Sequence, residues 1–152
     1  MQKITPFLWF DTQAEEAMRF YTSIFTNSKI MSVQREGESG PVLTGTFVLD
    51  GQEFMALNAG PQFKFNEAIS FFVRCKDQEE VDYFWEKLTE GGQEWQCGWL
   101  KDKFGLSWQI IPDILGELLG DKDPQRRQGA MNAMLQMGKI DIARLKEAAG
   151  QN

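Results

Sequence analysis

Residues 68–92 read "AISFFVRCKDQEEVDYFWEKLTEGG" and residues 4–25 read "ITPFLWFDTQAEEAMRFYTSIF". Each opens on a short run rich in aromatic and β-branched residues, the signature of a strand, and reaches an acidic residue before apolar positions resume at helical spacing. In the earlier stretch Ala14, Ala17, Met18, Tyr21 and Phe25 share a helix face, and Asp11 or Thr12 stands where a first turn is capped. In the later one Gly91-Gly92 closes the helix. At a shift of 64 positions Glu15-Glu16 falls on Glu79-Glu80, Ala17 on Val81, and Phe20-Tyr21 on Phe84-Trp85. Strand, junction and buried helix face all recur, so the chain carries an internal repeat.

After the first helix come "SKIMSVQRE", "VLTGTFVLDG" and "QEFMALNAG", three strand-like runs, with Asp50-Gly51 predicting a tight hairpin between the last two. After the second come "QEWQCGWLKDKFG" and "LSWQIIPD", where the repeat requires a further strand within 93–104. From Pro112 the pattern turns helical: "DILGELLG", then "DPQRRQGAMNAMLQMG" with Pro124 in its first turn, then "KIDIARLKEAA". The Met and Leu stripes of these helices read as packing surface rather than a ligand groove. The Arg126-Arg127 pair reads as solvated surface. The expected organisation is one domain over 1–152, with a first module over about 1–64, a second over about 65–112 and a helical extension over 113–152.

Composition narrows the chemistry. The chain has 152 residues, 42% of them hydrophobic and 25% charged, as in an ordinary globular protein. Sixteen basic and 22 acidic residues give a net charge of −6, whose field repels phosphate, so neither nucleic acid nor an anionic membrane is an expected partner. The start "MQKITPFLWFD" has neither a signal-peptide core nor the roughly 20 apolar residues of a membrane span, and a cytoplasmic location is expected. Cys75 and Cys97, 22 positions apart, suggest reduced thiols rather than a disulfide framework or zinc knuckle. The decisive count is zero histidines, which removes Ser-His-Asp triads, Cys-His pairs and His-based zinc sites together.

A β-α-β-β-β unit present twice, with the words "FYTSIF", "FMALNAGPQFKFNEAISFFV", "CGWLKDKFGLSWQIIPD" and "AMLQMGKIDIARLKEA", resembles the vicinal oxygen chelate superfamily of glyoxalases, bleomycin-resistance proteins and extradiol dioxygenases. Within it the chain is most similar to the PhnB-like branch, often labelled 3-demethylubiquinone-9 3-methyltransferase. The resemblance implies an α+β fold of two βαβββ modules forming curved mixed sheets around a cleft, with C-terminal helices, and commonly a homodimer. It further implies metal ligands on the first and fourth strands of each module. Carried to this chain those positions are Pro6, Met55, Ser70 and Gln109, a ring nitrogen without a donor, a thioether, a hydroxyl and a carboxamide. Divalent transition metals favour imidazole, thiolate or carboxylate, so the expectation is a degenerate site, no metal and no cofactor.

The methyltransferase label would call for a glycine-rich turn between strand and helix with an acidic residue about 20 positions on, in the manner of Rossmann-like cofactor sites. "EGESGP" and "TEGGQ" do not sit at such a junction. Cys97 is the best nucleophile the chain owns, provided Lys101 or Lys103 lowers its pKa, but a sheet cysteine is more often a small hydrophobe. Asp102 and Glu53 would make a carboxylate pair if the cleft joined them, and otherwise lie solvated at turns. The leading expectation is a protein that binds an apolar or aromatic small molecule in a cleft lined by Asn58, Ser70, Trp99 and Gln109. The alternative is an enzyme of the same superfamily, using a metal or Cys97. Asn58 is balanced between orienting a ligand and building an Asx-turn, and Gln109 between ligand contact and satisfied core amide.

Overall fold

The computed structural model describes residues 2–150. The chain divides into two compact units between Lys64 and Phe65. In the first, β1 (Phe7–Phe10), α1 (Ala14–Ile24), β2 (Lys29–Arg35), β3 (Val42–Leu49) and β4 (Gln52–Asn58) build a sheet of order β1-β4-β3-β2. In the second, β5 (Ser70–Cys75), α2 (Gln78–Thr89), β6 (Gln93–Glu94), β7 (Trp99–Lys101) and β8 (Ser107–Pro112) repeat that order as β5-β8-β7-β6. Both sheets are mixed, because β1 runs parallel to β4 and β5 to β8 while the remaining pairs are antiparallel. The α+β, twice βαβββ architecture expected from the sequence is the one observed.

The repeat is in phase for the helices. Ala17, Tyr21 and Ile24 of α1 are buried, as are Val81, Trp85 and Leu88 of α2, the residues 64 positions on. It is out of phase for the first strands. Leu8 and Phe10 are the buried residues of β1, and their counterparts by buried end of strand and facing are Val73 and Cys75, 65 positions on. The cause is local: three residues, 11–13, join β1 to α1, whereas Lys76 and Asp77 alone join β5 to α2.

In the first unit Gly45 and Ala56 pair across β3 and β4 on the helix side. A Cβ on Gly45 would lie 2.6 Å from the sulfur of Met18, so the absent side chain is what lets α1 settle onto the sheet. Tyr21, Phe47 and Phe54 stack above it. At the predicted hairpin Asp50 (φ 48°) and Gly51 (φ 82°) both take the left-handed conformation that a two-residue primed turn demands.

Helix α1 corrects the expected cap. Neither Asp11 nor Thr12 serves; Ala14 N donates instead to Asn58 Oδ1, 2.8 Å away at the end of β4. Helix α2 is capped locally, with Glu80 N donating to Asp77 Oδ1 and Lys76 N to Glu80 Oε1.

In the second unit, residues 93–104 supply two short strands, β6 and β7, around a kink at Cys97 (φ 58°) and Gly98 (φ 84°). The kink is tied down by Cys97 N donating to Met137 O and Gly98 N to Gly138 O. Helices α3 (Asp113–Leu119), α4 (Pro124–Met134) and α5 (Ile142–Ala148) follow, with Asp123 and Asp141 as N-caps of the last two. Leu115, Leu118, Ala130, Met137, Ile140, Leu145 and Ala149 form one buried cluster with Ile111, so the packing role expected of the apolar stripes is met by these positions. Gln78 links α2 to this layer, donating to Ile140 O and accepting from Ile142 N.

The β7–β8 turn is built around Asp102, which is 3% exposed. Phe104 N and Leu106 N donate to its Oδ1 at 2.9 and 3.0 Å, and Trp108 Nε1 donates to Oδ2 at 2.9 Å. Removing a buried acceptor strands its donors at about 1–3 kcal/mol each. Asp102→Ala is therefore expected to lower unfolding free energy by about 3 kcal/mol or more, and Asp102→Asn by less, in urea denaturation followed by tryptophan fluorescence.

Candidate functional site

Strand parity divides the second sheet into two faces. Phe71, Val73 and Cys75 of β5 pair with Trp108, Ile110 and Pro112 of β8 on the helix side. Ser70, Phe72 and Arg74 pair with Ser107, Gln109 and Ile111 on the other, and from β7 Trp99 lies beside Gln109 and Lys101 beside Ser107. This face is open at Phe72 and Arg74 and covered at Ser107 and Ile111, the latter by the C-terminal helices. One row across it reads Phe72, Gln109, Trp99, and the adjacent row reads Ser70, Ser107, Lys101. Phe72 is 55% exposed. Trp99 meets Trp95 edge-on, with ring centroids 6.4 Å apart.

The structure brings Ser70 and Gln109 together. Gln109 Nε2 donates to Ser70 Oγ at 3.0 Å, joining the adjacent rows. Trp99 stands beside this pair. Phe72 and Ser107 are not among the residues expected at the cleft from the sequence. Alternation along "SWQIIP" hints at their facing, but the parallel register that sets Phe72 against Gln109 is not written in either strand alone.

Asn58 lies in the first unit and pairs in register with buried Phe10. Its Oδ1 caps α1 and its Nδ2 donates to Val42 O at 3.0 Å. Both ends of the amide are engaged by backbone, the structural side of the balance left open by the sequence. Pro6 offers only its carbonyl, which accepts from Met55 N at 2.9 Å. The residue opposite Met55 is Phe7, just as Phe72 is opposite Gln109, and counting by face makes Thr5 rather than Pro6 the counterpart of Ser70.

The remaining chemical candidates are occupied elsewhere. Cys75 is buried, and desolvation, with Glu80, Asp113 and Asp77 adding repulsion, pushes its thiol up to about 12, leaving it protonated and unreactive. Cys97 sits in the kink between β6 and β7. Of the lysines expected to activate it, Lys101 pairs with Glu67, and Lys103 lies over the Phe104 ring at 5.6 Å from its centroid. The Lys101 ammonium, hydrogen-bonded to the Glu67 carboxylate, holds Glu67 below the usual carboxylate range. Asp102 is buried and anchors its turn rather than lying solvated, while Glu53 accepts from Thr5 Oγ1 at 3.5 Å within the first unit. Arg126 and Arg127 are both bonded to Asp121, the first through its carboxylate and the second through its carbonyl. Among the described residues no cysteines and carboxylates gather in a group of three that could hold a metal ion, and no helix is long and apolar enough to cross a membrane.

The model of the 3-demethylubiquinone-9 3-methyltransferase family matches residues 2–111, which hold α1, α2 and both sheets but for the last residue of β8. The chain belongs to that family. Among solved structures, a PhnB protein of Bacillus cereus is 41% identical over 73% of this chain and 99% of its own, with a TM-score of 0.69. A protein of Pseudomonas aeruginosa, 18% identical over 74% and 98% of the two chains, superposes with a TM-score of 0.62. The fosfomycin resistance protein FosX of Listeria monocytogenes, solved with Mn(II) and sulfate, is 16% identical over 71% and 90%, with a TM-score of 0.52. The last two show a shared fold. None of the curated proteins compared with the chain matches it.

Two outcomes test these placements. Asn58→Ala should cost about 1–2 kcal/mol, the range of a lost helix cap, measured by thermal or urea unfolding. Iodoacetamide at pH 8 should leave Cys75 unmodified in the folded protein and label it once the chain is unfolded, as peptide mapping by mass spectrometry will read.

Proposed function

We propose that this PhnB-like protein binds an apolar or aromatic small molecule without a metal ion, and that the open face of its second sheet is the binding surface. The observation that carries the reading is the row Phe72, Gln109, Trp99 joined to Ser70 by the Gln109 hydrogen bond. Two aromatic side chains flank one amide, and an exposed phenylalanine on a β-sheet face gains free energy when a ligand ring covers it. The amide spends a donor on Ser70, and its carbonyl remains an acceptor for a ligand N–H or O–H. Apolar walls with a few convergent polar groups are the usual make-up of a small-molecule site.

The donor chemistry supports the absence of a metal from this role. In the second unit a hydroxyl at Ser70 and a carboxamide at Gln109 are neutral oxygen ligands, and in the first unit Met55 offers a thioether and Pro6 no side-chain donor. Neither pair fits zinc, nickel, iron or manganese, which are held by imidazole, thiolate or carboxylate. No catalytic step is therefore routed through a metal.

Calorimetric titration with 1-naphthamide, a neutral aromatic amide, tests the reading. Saturable binding is expected, weakened at least tenfold by Phe72→Ser, about 1.4 kcal/mol, and by a smaller factor by Gln109→Ala. Absence of saturable binding, or affinities unchanged in both variants, would reject it. So would stoichiometric zinc, nickel, iron or manganese in the purified protein that Gln109→Ala releases.

A further inference from the structure

Beside the aromatic row runs a second row, Ser70, Ser107, Lys101, on three neighbouring strands. Ser107 is fully buried, and its Oγ has no hydrogen-bond partner. A buried hydroxyl without a partner is uncommon and unfavourable, so its retention calls for a reason. Its neighbours supply one. Adjacent strands lie roughly 5 Å apart, so Ser70 and Lys101 flank Ser107 within reach of a single ligand group. Ser70 Oγ accepts from Gln109 Nε2, a bond that leaves the Ser70 proton uncommitted. Lys101 carries three N–H donors and an ion pair with Glu67. The row as a whole offers O–H, O–H and ammonium N–H.

A row of donors that includes a cation is complementary to a negatively charged oxygen. Charge-assisted hydrogen bonds to such an oxygen are about twice as strong as neutral ones. Resting on the small-molecule reading above, we infer that the ligand is an organic anion: an aromatic or apolar body lying along Phe72 and Trp99, with a carboxylate or phosphate oxygen received by Ser70, Ser107 and Lys101. Glu67 holds the ammonium of Lys101, so the incoming anion exchanges with the Glu67 carboxylate. Glu67 thereby sets a threshold that neutral ligands do not meet and that only a well-placed anion overcomes.

Three probes with one ring system separate the possibilities: 1-naphthamide, 1-naphthoate and 1-naphthyl phosphate, titrated calorimetrically at fixed ionic strength. At least one anion should bind tenfold or more tightly than the amide, and which of the two does so assigns the ligand to carboxylates or to phosphates. Ser107→Ala and Lys101→Met should each abolish that preference while leaving 1-naphthamide affinity within twofold, which also reports an intact fold. Lys101→Arg should preserve the preference, and Glu67→Gln should tighten anion binding several-fold. Equal binding of all three probes, a preference that survives Ser107→Ala or Lys101→Met, or anion affinity unchanged in Glu67→Gln overturns the inference and leaves the small-molecule reading standing. Failure of all three probes to bind overturns that reading as well.

Discussion

The buried carboxylate of Asp102 fixes the register on which the second sheet's open face depends. By taking two backbone N–H groups and the Trp108 indole, it closes the β7–β8 turn at a set length, with Gly105 (φ 90°) supplying the left-handed residue. Asp102 N then reaches Leu106 O, and the pairs Lys101–Ser107, Leu100–Trp108 and Trp99–Gln109 follow. A slip of one residue would turn every side chain of a strand to the opposite face. Gln109 would then point at α2 and Trp108 at the open side. The arrangement of aromatic and polar rows is thus a consequence of one turn chemistry, and the same indole that Asp102 binds packs edge-on against Phe71 beneath the helix.

The repeat, the helices and the hairpin at Asp50-Gly51 were legible in the sequence because each rests on local signals: period, turn residues and stop residues. What stayed hidden depends on groups distant in the chain. The cap of α1 comes from Asn58, 44 positions after Ala14, and no rule about neighbouring residues finds it. Asp102 looked like a surface turn acid since its three donors lie two to six residues ahead and bury it only after the hairpin closes. The different facing of Pro6 and Ser70 has a related cause. The connection from strand to helix is one residue shorter in the second unit, so the offset that aligns the helices does not align the first strands, and in a strand one residue is a full reversal. Gln109 and its partner Ser70 are 39 positions apart, and their contact follows only from the parallel pairing of β5 and β8.

Comparing the two units shows what distinguishes the second. By face, Thr5, Glu53, Phe7 and Met55 occupy the places held by Ser70, Ser107, Phe72 and Gln109. The first set presents a carboxylate where the second presents an orphan hydroxyl, and a thioether where the second presents an amide. One duplicated framework therefore carries two surfaces of different polarity. The first would repel an anionic oxygen at the position where the second, with Lys101 alongside Ser107, attracts it.

That attraction works against the charge of the whole molecule. A net charge of −6 gives a long-range field that opposes the approach of any anion. The field is screened over about 8 Å at physiological ionic strength, a distance comparable to the span of two strand spacings. Selectivity must then arise at contact range, from hydrogen-bond donors whose directions are fixed by the sheet. Backbone pairing holds Ser70, Ser107 and Lys101 in line whether or not their side chains are occupied, so little ordering entropy remains to be lost on binding. A rigid row of donors inside an acidic protein favours discrimination between ligands over speed of capture, because the distant field slows every anion alike and only the local geometry tells them apart.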